Sequence, residues 1–144
     1  MLELTESQIK DIAESLDIGM ACYINKKTGE IVEILDRQSF PDVDSDSAWQ
    51  EEIQKLEENW SDYFQIEKMP SQLVYDVMAD FTELIDDVNL RNQLIKILQR
   101  PKPFRHFKYQ IDDSLEYRKK WFAFNLERSM EWINKQIKNW DETD

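Results

Sequence analysis

The chain has 144 residues, 41% hydrophobic and 33% charged, with 18 Lys/Arg against 30 Asp/Glu for a net charge of −12. That length predicts one domain able to bury about two-thirds of its unfolded surface without a metal or disulfide staple, and seven Phe, five Tyr and five Trp supply core pieces that a disordered chain lacks. A single cysteine, Cys22, excludes an internal disulfide and a CxxC site, while the acidity opposes general attraction to nucleic acid or anionic lipid. No apolar run approaches the ~20 residues that span a bilayer, and MLELTESQ has neither the basic nor the apolar part of a secretory signal. A cytoplasmic protein without a membrane segment is expected.

In chain order, Thr5 and Gln8 make a capping box, and Ile9, Ile12, Ala13 and Leu16 follow at helical spacing. Gly19 stands where a helix ends in a left-handed residue. NKKTG, ending at Gly29, separates GMACYI from EIVEIL, a pattern that reads as a β-hairpin with strands at 20–24 and 31–35. Residues 36–47, DRQSFPDVDSDS, read as a polar loop. Trp49, Ile53, Leu56 and Trp60 then form one stripe of an acidic helix. YFQIEK, 63–68, reads as a third strand ended by Pro70.

Ser71 is expected to cap a helix whose apolar face holds Val74, Val77, Met78, Phe81, Leu84 and Ile85, with Asp76, Asp80, Glu83, Asp86 and Asp87 opposite. Leu90, Leu94, Ile97 and Leu98 mark another helix that stops before Pro101. Pro103 suits the first turn of a third, with Phe104, Phe107 and Ile111 on one side. Ser114 opens a long helix over 115–138, where Leu115, Phe122, Leu126, Met130, Ile133, Ile137 and Trp140 recur near every 3.6 residues. The expected fold is α+β: a helix-dominated single domain over 1–140, with hairpin 20–35 and strand 63–68 in a small antiparallel sheet packed on helices, followed by an acidic tail at 141–144.

Motifs for chemistry are sparse. His106 is the only histidine and has no Ser/Asp or His/Cys partner at catalytic or ligand spacing. DVDSDS begins like a calcium loop, but Ser47 replaces the glycine of the sixth place and Ile53 the glutamate of the twelfth. It reads better as an acidic loop whose Asp46 or Ser47 caps the next helix. GxxxxGK[ST] and GxSxG are absent. No catalytic, cofactor-binding or metal-ligating residue is assigned, and no cofactor is expected.

One segment stands apart. From Arg100 to Lys120 there are seven Lys/Arg against three acids, with aromatics between them. Arg100, Lys102, Arg105, Lys108, Lys119 and Lys120 could form a basic surface strip. Helical periodicity argues for scaffold instead: it turns Phe104 and Phe107 inward, whereas a single-stranded nucleic-acid surface needs exposed rings. Phe104, Phe107 and Phe122 are therefore expected in the core, with the cations solvated or paired with the acidic helices.

FRHFK, Phe104–Lys108, and RKKWFAFNLERSMEW, Arg118–Trp132, together with the hairpin YINKKTGEIVEI and the acidic helix VYDVMADF, resemble the uncharacterised bacterial protein family 0158. The resemblance covers most of residues 20–135 and implies no activity and no functional residues, because the family has none established. The expectation is a non-catalytic domain that binds a protein partner. The alternatives are nucleic-acid association through the basic segment and a carboxylate-dependent enzyme.

Overall fold

A computed structural model describes residues 3–35 and 50–143, of which 141–143 as backbone only. The loop and calcium-like stretch at 36–47, and the placement of Trp49, lie outside the described residues. The helices are α1 (Glu6–Asp17), α2 (Gln50–Glu58), α3 (Ser71–Glu83), α4 (Val88–Leu98), α5 (Pro103–Asp112) and α6 (Leu115–Thr143). The strands are β1 (Met20–Asn25), β2 (Ile31–Leu35) and β3 (Tyr63–Ile66), in the antiparallel order β2-β1-β3. This is the α+β class expected from the sequence. The chain divides into two compact units, Met1–Lys68 with Met130–Asp144, and Met69–Ser129.

In the first unit, both bonds of the capping box form: Gln8 N donates to Thr5 Oγ1 at 3.1 Å and Thr5 N to Gln8 Oε1 at 2.8 Å. Ile9, Ile12 and Ala13 are buried. Gly19 leaves the helix at φ 98° and Gly29 closes the hairpin loop at φ 77°, values that a Cβ would make costly. Asn25 pins that loop, its Oδ1 accepting from Lys27 N at 2.8 Å and Thr28 N at 3.1 Å.

Register then sorts the side chains. Cys22 pairs with Glu33 and Ile66, and Ile24 with Ile31 and Phe64. Cys22, Ile24 and Ile66 are all buried on one face. Val32 and Tyr63 occupy the other face, where Leu56 of α2 packs on them. Phe64 stacks on Trp140 at 4.5 Å, and Trp132 Nε1 donates to Glu67 O at 2.9 Å just beyond the edge strand. Trp60 does not extend the α2 stripe. It falls in a 3-10 turn, Trp60–Asp62, and is 65% exposed.

The second unit is helical. Val77, Met78, Phe81, Leu90, Leu94, Leu98, Phe107, Ile111 and Trp121 build its core. Trp121 meets Phe107 and Phe81 edge-on, at 5.0 and 5.3 Å, an arrangement that places ring edges against ring faces. Three details differ from expectation. Pro70, not Ser71, holds the cap position of α3. Leu84 falls just past the helix end and is exposed, while Ile85 turns in. Asp87, read as part of an acidic face, caps α4 by accepting from Asn89 N and Leu90 N.

Helix α6 runs unbroken across the expected 115–138, but its stripe is not the expected one. Leu115 and Phe122 are 78% and 53% exposed, and the buried positions are Trp121, Ile133 and Ile137. Trp121 and Ile133 are twelve residues apart, about three and one-third turns, so they lie on different faces of the helix. One continuous stripe cannot hold both.

Candidate interaction surface

The basic segment occupies the link from α4 to α5, the length of α5 and the first turns of α6. Its inner side is core: Phe107 and Ile111 are fully buried, and Phe104 is half-buried against the same cluster. Its outer side was expected to carry only cations, and it carries rings as well. Tyr109 is 59% exposed, with the Arg105 guanidinium 5.7 Å from its ring centroid. The exposed ring of Phe122 has the Arg118 guanidinium at 5.2 Å.

Helical spacing makes both pairs, because residues four apart are neighbours on a helix. Asp112, one turn beyond Lys108 and Tyr109 on α5, forms an ion pair with Arg118, its Oδ1 3.5 Å from Nε. Two groups of contacts result: Arg105 with Tyr109 on α5, and Asp112 of α5 with Arg118, which also meets Phe122 on α6. The Phe107–Trp121 contact beneath fixes the two helices to each other. The Asp112–Arg118 pair itself is half-exposed and contributes little.

The six residues expected as one strip divide into three groups. Arg105, Lys108 and Lys119 are exposed on α5 and the first turns of α6. Arg100 and Lys102 sit in the link before α5, where Lys102 takes a left-handed backbone, φ 56° and ψ 51°, ahead of Pro103. Lys120 is drawn to another side of α6 by Glu116, at 3.3 Å, and by the ring of Tyr117, at 5.2 Å. Among the described residues, Arg100, Lys102, Arg105, Lys108 and Lys119 have no ion pair, so pairing with the acidic helices does not account for them. His106 is exposed on α5, with no catalytic partner among the described residues.

Reading the sequence placed Leu115 and Phe122 in the apolar stripe and left Tyr109 and Arg118 out of the strip. A signal was present: an arginine four residues before a ring, R-x-x-x-Y at 105–109 and R-x-x-x-F at 118–122, on two successive helices. Because Phe122 lies beside Trp121 in sequence, only one of the two could face the core, and the stripe count chose the wrong one.

Two other features of the described residues are a buried thiol and an acidic cleft. Cys22 is buried in the sheet, and burial, with Glu33 beside it, pushes its thiol up to about 12, which leaves it an unreactive thiol. An open cleft of about 510 Å³ in the first unit is lined by Glu30, Glu33, Glu51, Glu52 and Lys55. Two of its carboxylates are engaged: Lys55 and Tyr63 bond Glu30, and Ser15 Oγ donates to Glu33 Oε2 at 3.0 Å. Among the described residues, no group of three or more His, Cys, Asp or Glu is placed to hold a metal ion. No helix among them is long and apolar enough to cross a membrane.

The comparisons with known proteins agree on family and give no activity. No solved structure matches. A Pseudomonas aeruginosa protein named UPF0158 protein PA5073 is 25% identical over 125 residues, covering 86% of this chain and 76% of that protein. The pattern of the Uncharacterised protein family (UPF0158) matches residues 2–142, nearly the whole sequence, and the chain belongs to that family.

Proposed function

We propose that the protein is a non-catalytic interaction domain of the bacterial cytoplasm, and that its docking surface is the α5–α6 face bearing Arg105, Tyr109, Arg118 and Phe122. One observation carries this reading: two exposed rings on successive helices each lie beside an arginine, above an aromatic core shared by both helices. Aromatic residues and arginine are the types enriched at protein interfaces and among their energetic anchors. Rings exposed at 53% and 59% have apolar area left to bury. A partner offering carboxylates would suit the cations that have no ion pair among the described residues. The net charge of −12 disfavours a densely charged phosphate backbone more than a protein that offers only a few carboxylates.

A photo-crosslinking residue at position 109 or 122, compared with one at exposed Ile18 of the first unit, tests this in cells. Discrete protein adducts from 109 and 122 that vanish when Arg105 and Arg118 are replaced by Ala are expected. Adduct patterns no different from those at position 18 would refute the proposal.

The second reading, single-stranded nucleic acid, draws on the same exposed rings, which bases can stack on, and on Arg105, Lys108 and Lys119 as phosphate contacts. Nucleic acid in the adducts, with binding that falls steeply as salt rises, would favour it.

A further inference from the structure

We infer that the occupant of this face is an acidic amphipathic helix of a partner protein, lying along the first turns of α6. This rests on the proposed docking function and adds the shape of the partner. Leu115 and Phe122 stand seven residues apart on one side of α6, with Arg118 and Lys119 between them at i+3 and i+4. Both apolar side chains are exposed by more than half. Seven residues are about two turns, or about 10 Å, the interval at which apolar side chains recur on one face of a second helix.

The backbone excludes the other common mode of peptide capture. Arg118 N already donates to Ser114 O and from there the helix bonds its own N–H and C=O groups, so only the first turn has N–H groups to offer, too few to add a strand, and recognition passes through side chains. The cations then set the partner's sign. Lys119 has no ion pair among the described residues, and Arg118 holds Asp112 only at 3.5 Å in a half-exposed pair. Carboxylates flanking the partner's apolar stripe would complement both, and Arg105 on α5 extends the same charge. A second copy seated by the same face would set Arg118 and Lys119 against their own like charges, which makes it a poor occupant.

The test uses the full-length protein and three labelled probes. One is a five-turn peptide with Leu at helical i, i+3, i+4 and i+7 positions and Glu elsewhere. A second has the same composition scrambled to abolish that period, and the third is an oligothymidine strand. Fluorescence anisotropy at low and moderate salt gives affinities, and sedimentation gives the oligomeric state. The patterned peptide should bind more tightly than the scrambled one by about tenfold, and Phe122→Ser or Leu115→Ser should weaken it by about tenfold, the share an aromatic or apolar anchor carries. Lys119→Ala should weaken it a few-fold and reduce its salt dependence. All three positions are exposed, so these variants should fold, and an unchanged circular-dichroism melt checks that they do.

Equal binding of the patterned and scrambled peptides would overturn the helix and leave the acidic-partner surface standing. Binding of oligothymidine alone, or of no probe, would overturn both readings. Self-association that Phe122→Ser abolishes would make a second copy the occupant and would also overturn the helix.

Discussion

The two units solve the same packing problem with opposite surfaces. Residues 69–129 carry ten Lys/Arg against nine Asp/Glu, a net +1, while the remainder carries eight against twenty-one, a net −13. Six of the eight large apolar side chains left exposed among the described residues belong to the near-neutral helical unit: Leu84, Val88, Ile95, Tyr109, Leu115 and Phe122. In the acidic unit only Ile18 and Trp60 do so. Self-repulsion keeps an acidic surface solvated and uncommitted. A near-neutral surface with exposed rings and cations has area to give up to a partner. The proposed docking surface falls accordingly on the helical unit.

The largest expected effect sharpens that division. Phe107→Ala removes a fully buried ring from the helical core and should cost about 3–5 kcal/mol in urea unfolding. Phe122→Ala, fifteen positions on but half-exposed, should cost no more than about 1 kcal/mol. If the two cost the same, the surface assigned to Phe122 is core and the contrast between the units fails.

The next effect belongs to the acidic unit. Cys22 has its thiol raised from 9.0 to about 12 by burial, with Glu33 adding to it. Above pH 9 the unfolded chain loses this proton while the folded chain keeps it. Stability from this group is therefore complete below pH 9 and falls by roughly 1.4 kcal/mol per pH unit up to about pH 12. A Cys22→Ala variant should lack that component of the alkaline limb. Iodoacetamide at pH 8 should label the wild type only in denaturant, and fast labelling of native protein would contradict the buried strand.

Smaller again is the cluster at the mouth of the acidic cleft. Tyr63 donates its hydroxyl to Glu30 at 3.1 Å, so Tyr63→Phe should cost about 1 kcal/mol by thermal or urea melts. The Lys55 ammonium bonded to Glu30 holds that carboxyl below its ordinary 4.5, and Tyr63 adds to the effect. A lowered carboxylate contributes stability above its unfolded value and loses it as pH falls through the folded one. Glu30→Gln should therefore lower stability slightly at neutral pH, leave it unchanged in strong acid, and so flatten the acid limb below pH 4.5.

The smallest effect is at the proposed surface itself. Lys119→Ala should change stability by less than about 0.5 kcal/mol, because the side chain is exposed and has no ion pair among the described residues. A larger loss would mean that the cation serves the fold and not a partner.

Several features were determined by the sequence alone, because each depends on neighbours in the chain. Thr5 and Gln8 cap α1 through bonds three residues apart. Gly19 and Gly29 allow the left-handed backbone that bounds the hairpin, and Pro103 starts α5. The family resemblance was legible too, in the hairpin, FRHFK and RKKWFAF. The surface was not, and α6 shows why. Tyr117, Trp121, Phe122, Phe124 and Leu126 spread over more than half of that helix's circumference, so spacing by itself offers more than one apolar stripe. Phe81 and Phe107, brought from other helices, select Trp121 for the core and leave Phe122 in water. Which of two adjacent rings is buried is a contact between segments distant in the chain, and only the tertiary structure decides it.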